Sequence, residues 1–99
     1  MIMGHKINLA LQVIPKSGKH DLYPLVDAAI RAIQDSGLKY EVCPFETVIE
    51  GDYDQVLEVV RQARDACFRA GAEEMLVNIK MQVRKGGDVT IEEKMGKYR

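Results

Sequence analysis

Apolar residues recur along this chain with two periods, and the switches between them mark out its elements. Ile7, Leu9, Leu11 and Val13 alternate with Asn8, Ala10 and Gln12. A period of two predicts a strand with one apolar and one more polar face. Pro15 ends it, and Lys16-Ser17-Gly18-Lys19 reads as a loop. Leu22, Leu25, Val26, Ala29, Ile30 and Ile33 then fall at helical spacing as one apolar stripe. Asp21 suits the N-cap, Pro24 the first turn and Gly37 the stop. Lys39 to Cys43 reads as a second strand closed by Pro44, and Thr47 to Glu50 as a third. The connection is so short that the two should form an antiparallel hairpin. Which face Thr47 and Ile49 take, as against Val48 and Glu50, is left open, because a one-residue slip exchanges them.

Gly51 supplies freedom to turn, and Asp52 with Gln55 three residues later forms a capping box for a second helix running to about Ala70. Val56, Leu57, Val60, Ala63, Cys67 and Ala70 make its apolar stripe, and Gly71 its stop. Met75, Val77, Ile79, Met81 and Val83 alternate with Leu76, Asn78, Lys80, Gln82 and Arg84 in a long last strand whose excess length suits pairing with another subunit. Gly86-Gly87 breaks it. Thr90-Ile91-Glu92-Glu93 is a further capping box, opening a short helical tail with Met95 and Tyr98. Strand, helix, strand, strand, helix, strand is the ferredoxin-like α+β arrangement: a four-stranded antiparallel sheet with both helices on one face. The other face should then be open, with Asn8, Ala10, Gln12, Ile14, Leu76, Asn78, Lys80 and Gln82 on it. That mixture of polar and apolar groups suits a partner subunit or a ligand. Pro44 to Asp52 stands between the mirrored halves and is expected to be both pivot and pocket wall.

Length and charge narrow the function. Residues 1–99 make a single domain. The net charge of −1 offers no basic field for nucleic acid. No apolar run approaches the ~20 residues of a membrane span, and Met1 to Lys6 lacks the long apolar stretch of a signal peptide, so a cytoplasmic location is expected. Cys43 and Cys67 are too few and too far apart for a zinc knuckle or redox pair and are expected to act as small hydrophobes.

Chemistry-bearing clusters are sparse. Ser17 and Ser36 sit in loops beside glycine and read as turn residues. His5 and His20 have no companions at metal-ligand spacing. Asp52 and Asp54 are expected at a helix start, where they would oppose a phosphate and favour a neutral or cationic ligand. Glu50 ends a strand beside a glycine and is a candidate ligand residue; Thr47 could equally be a strand former. Asn8, Gln12 and Asn78 present amides on one sheet face, each with a donor and an acceptor side by side, as an aminopyrimidine edge needs. The first and last predicted strands carry no exposed aromatics, which argues against an RNA-recognition motif. The loop after the first strand lacks the arginine of an acylphosphatase-like enzyme and the CxxC of a heavy-metal carrier. An amino-acid-sensing regulatory module of the ACT type shares the topology, needs no catalytic residue and stays open as the alternative. No nucleophile with a paired base appears, so a non-catalytic protein without a cofactor or metal is expected.

Val13-Ile14-Pro15, Gly37 through Val42 with Pro44, Thr47 through Gly51, and Gly86-Gly87 with Thr90 through Lys94 together form a pattern that resembles the small thiamine-binding proteins of about a hundred residues. The similarity spans roughly residues 6 to 99, and Lys39-Tyr40-Glu41 followed by Thr47 to Gly51 is its most specific part. The resemblance implies a ferredoxin-like dimer of dimers, a homotetramer, that binds thiamine or its hydroxymethylpyrimidine part without catalysis. It places Thr47 and the residues through Gly51, Glu50 among them, at the pocket; Asn8, Gln12 and Asn78 are added from the residues as edge readers. The pocket is expected near the open sheet face and a subunit interface. Lys80 would repel a thiazolium unless Glu50 or another carboxylate intervenes.

Overall fold

The structure is a computed structural model that describes residues 5–99. The elements run β1 (Lys6–Lys16), α1 (Leu22–Asp35), β2 (Lys39–Val42), β3 (Thr47–Asp52), α2 (Tyr53–Ala70), β4 (Glu74–Gln82) and α3 (Ile91–Met95), followed by a 3-10 turn at Gly96–Tyr98. The strands form one antiparallel sheet in the order β2-β3-β1-β4. This is the α+β, ferredoxin-like arrangement that the alternation predicts. The strand of Pro15 goes on to Lys16, because beyond Leu11 β1 is paired with β4 alone and a one-sided ladder tolerates proline.

The helices cover one sheet face. Leu25, Ala29 and Ile33 of α1 and Val56, Val59, Ala63 and Cys67 of α2 pack on Ile7, Leu9, Leu11 and Ile49. Val59 joins this stripe, while Ala70 lies on the surface at the helix end. Register settles the face of β3. Thr47 lies opposite Leu11 and Ile49 opposite Leu9, so both face the helices; Val48 and Glu50, opposite Ala10 and Asn8, face the other way.

The capping boxes predicted at Asp52/Gln55 and Thr90/Glu93 are both formed. Asp21 occupies the N-cap of α1 without a side-chain cap bond. Gly51 differs from its expected part as a hinge. It lies inside β3 without a positive φ, and a Cβ there would stand 3.0 Å from Leu38 Cδ1 and 3.3 Å from Val56 Cγ1. A missing side chain, not a turn, is what the position requires. Among the described residues the left-handed glycines are Gly37, just past α1, and Gly71 at the end of α2.

The tail changes the second face. After β4 the chain reverses and returns across the sheet: Asp88 accepts from Lys6 N–H at 2.7 Å, and Val89 N–H donates to the Lys6 carbonyl at 2.9 Å. Val89 and Ile91 are buried there. Arg84 pairs with Glu93 at the near end, and Arg99 reaches Glu41 on β2 at the far end. The face expected to be open is therefore covered by α3 over Asn8 and Glu50, and free over Gln12, Ile14, Leu76 and Asn78.

Candidate functional site

Cys43 N–H donates to the Glu46 carbonyl at 2.9 Å and closes the β2–β3 turn. This turn and α1 frame a cleft on the helix side of the sheet, of about 130 Å³. Leu11, Val13, Ala29 and Ile33 give it apolar walls, Thr47 lies in its lining, and Phe45, 82 % exposed, stands at its rim. Engineered cavities of ~150 Å³ hold a benzene molecule, so the cleft suits one six-membered ring. Cys43 also lines it, with its thiol 3.8 Å from the Glu41 carbonyl. Glu46 reaches the cleft from the turn and pairs with Lys80 at 3.3 Å. The carboxylate beside Lys80 is thus Glu46 and not Glu50, and Lys80 itself, opposite Ala10 on β1, stands on the other sheet face and outside this cleft's lining.

The five sequence-derived residues do not converge on one cavity. Thr47 faces the helices. Asn8 and Glu50 meet on the other face, where Asn8 Nδ2 donates to Glu50 Oε1 at 3.3 Å and to the Val89 carbonyl at 3.1 Å. Glu50 Oε1 also accepts from Ile91 N–H at 2.6 Å. Glu50 is 6 % exposed, and its bonds anchor the tail. Gln12 and Asn78 lie opposite each other on β1 and β4, and Asn78 Nδ2 donates to Gln12 Oε1 at 3.1 Å on the free part of the face. Asp52 is engaged as a cap, accepting from Gln55 N–H at 2.8 Å. Among the described residues no cluster of three or more His, Cys, Asp or Glu could hold a metal.

Sequence reasoning took the stretch from Pro44 to Asp52, Phe45 included, as a pocket wall, but it missed Cys43 and the α1 wall as cleft residues, and it missed the tail as a cover. The last had a signal: Val89 and Ile91 flank the cap residue Thr90 as an apolar pair in an otherwise polar stretch.

The profile of the family described as "Thiamine-binding protein" matches residues 9–99. The chain belongs to that family. It is 41% identical over 92 residues to UPF0045 protein CPE1503 of Clostridium perfringens, covering 93% of this chain and 96% of that one. It is similar in structure to a Bacillus cereus domain of unknown function, DUF77, at 43% identity with a TM-score of 0.93, over 97% of this chain and 92% of the other. It is similar also to a candidate thiamine biosynthesis or salvage protein from Thermotoga maritima, at 31% identity with a TM-score of 0.84, over 95% and 99% of the two chains. Among the described residues no helix is long and apolar enough to cross a membrane.

Proposed function

We propose that the protein binds thiamine or its hydroxymethylpyrimidine part without catalysis, with the pyrimidine ring in the cleft between α1 and the Cys43–Glu46 turn. The observation that carries this is the cleft's size and chemistry: room for one ring, apolar walls, and Thr47 as a polar group in the lining. Ligand sites commonly combine apolar walls with a few placed polar groups. A hydroxyl both donates and accepts, which matches an aminopyrimidine edge, and Phe45 is free to stack on the ring's outer side. Lys80, opposite Ala10 on β1, stands on the other sheet face and outside the cleft's lining, so a thiazolium beside the cleft is not set directly against it. Membership of the thiamine-binding family supports the ligand class.

Isothermal titration with thiamine, hydroxymethylpyrimidine and thiamine diphosphate tests the ligand. Heat with the first two is expected, and none with any of the three at millimolar concentration sinks the reading. Thr47→Val should weaken pyrimidine binding by about 5–10-fold, the worth of one hydrogen bond. Unchanged affinity in both Thr47→Val and Phe45→Ala would move the ligand out of this cleft.

The homotetramer that the resemblance implies is part of the proposal. Its support is the edge strand β4, where Ile79, Met81 and, just beyond the strand, Val83 are exposed. A sheet edge with apolar side chains is a template for pairing with another copy.

A further inference from the structure

We infer that the main chain of Val13 reads the amino edge of the ligand: its N–H donates to a ring nitrogen, and its carbonyl accepts from the exocyclic amine beside that nitrogen. This contact rests on the thiamine reading and supplies its specificity from a strand edge. The place is where the β1–β3 ladder stops. Its last pair is Leu11 with Thr47, and beyond that pair β1 is held by β4 alone.

The phase of β1 fixes which groups face the gap. In an antiparallel strand the N–H and C=O of one residue point to the same side, and those of the next residue to the other. The Lys16 carbonyl accepts from Glu73 N–H, just before β4, at 2.9 Å. Pro15 has no N–H, yet it lies within the β1–β4 ladder without breaking it. Even-numbered residues of β1 therefore turn toward β4 and odd-numbered ones toward β3. Beyond Leu11 the odd positions are Val13 and Pro15. Proline offers no donor, so Val13 alone presents an N–H and a C=O side by side to the gap. The Cys43–Glu46 turn does not take them. It closes on itself through Cys43 N–H and the Glu46 carbonyl, and among the described residues no main-chain bond joins it to Val13.

This gap is part of the Thr47 cleft. Leu11, Gln12 and Val13 all line the cleft, although consecutive side chains on a strand point to opposite faces. The Gln12 side chain lies on the far face, where Asn78 donates to it at 3.1 Å. What the cleft meets at Gln12 is therefore main chain, and the cleft reaches the strand edge beside Val13. A strand rises ~3.4 Å per residue, which puts Val13 ~7 Å along from the Leu11–Thr47 pair, room for a substituted six-membered ring. A ring nitrogen beside an amine offers an acceptor and a donor, as the missing β3 residue would. A ring without that edge leaves the Val13 groups unpaired against apolar walls, which is costly.

The test is calorimetry of the full chain with hydroxymethylpyrimidine and with the same pyrimidine lacking its amine. The second should bind about 5–10-fold more weakly, the worth of one hydrogen bond. Val13→Pro removes the N–H on the side where no ladder bond is made, as Pro15 already does two residues on. Val13→Ala trims the same wall but keeps the N–H, so it is the reference. Val13→Pro should bind about 5–10-fold more weakly than Val13→Ala. In the ¹⁵N-labelled wild-type chain the Val13 amide proton should move downfield and exchange more slowly at saturation, a readout that needs no variant to fold. With wild-type heat in hand, three results each overturn the Val13 contact and leave the thiamine reading standing: a Val13 amide that neither shifts nor gains protection, equal affinity of Val13→Pro and Val13→Ala, or equal affinity for the two pyrimidines. No heat with the wild type at millimolar ligand sinks the thiamine reading and the contact with it.

Discussion

Glu50 is the residue on which the sequence reading and the structure divide most sharply, and Glu50→Ala separates them. In the folded chain its carboxylate receives the Ile91 N–H at 2.6 Å and the Asn8 amide at 3.3 Å. Hydrogen bonds to a charged group are worth ~1.5–3 kcal/mol each, and the longer bond belongs at the low end. Ile91 is 3 % exposed, so its N–H finds no ready replacement. The loss has a ceiling, because the tail can undock instead. A helix as short as α3 does not persist alone, and undocking exposes Val89 and Ile91 at a cost of ~1.5–3 kcal/mol each. Both routes give a destabilisation of at least about 3 kcal/mol, which for a domain of this size is about 12–24 °C in Tm if the tail melts with the rest. Hydrogen exchange at the Ile91 amide reads the contact directly and should lose most of its protection. Glu50→Gln keeps an acceptor and should fall between wild type and Glu50→Ala. If Ile91 stays protected in Glu50→Ala while pyrimidine affinity collapses, Glu50 reads the ligand and the anchoring account is wrong.

Three other outcomes follow from particular contacts. The Arg84 guanidinium and the Thr90 N–H hold the Glu93 carboxyl down to about 2 from the usual 4.5. A depressed carboxylate pKa stabilises the fold above the unfolded value, and that contribution is lost as pH falls from about 4.5 to about 2. Protection of α3 should therefore fade through that window, and Glu93→Gln should flatten the profile. At Gly71, with φ of 126°, an added Cβ would stand 2.6 Å from the His20 ring. Gly71→Ala should cost about 1–3 kcal/mol in denaturant unfolding, and His20→Ala should recover only the part due to the clash. Size exclusion with light scattering should show a tetramer that Ile79→Lys with Met81→Lys reduces; a wild-type monomer at micromolar concentration would refute the β4 edge as an interface.

The fold was largely legible because its signals are local. Alternation located β1 and β4, helical spacing located α1 and α2, and Asp52/Gln55 and Thr90/Glu93 marked two helix starts that the structure confirms. What was not legible depends on long-range return of the chain. The bonds from Lys6 to Asp88 and Val89 join residues at opposite ends of the sequence, and no periodicity announces them. Asn8 and Glu50 looked available for a ligand because their partners lie in that returning tail. Gly51 was misread for a related reason: a glycine needed for the approach of Leu38 and Val56 looks, in sequence, like one needed for a turn.

One part of the site was nevertheless decidable from the sequence. Thr47 and Glu50 are three positions apart on a strand, and successive side chains on a strand point to opposite faces. Once both belong to β3 they cannot share a sheet face, whatever the register. Register decides only which of them faces the helices, and the pairing of Thr47 with Leu11 gives that place to Thr47. The stretch from Pro44 to Asp52 therefore serves two surfaces with the sheet between them. Its turn and Thr47 shape a ring-sized cleft against α1, while Glu50 fastens the tail that covers the other side. A ligand in the cleft touches Thr47 without touching Glu50. Substitutions at the two positions should then act on different observables: ligand affinity for Thr47, and tail protection for Glu50.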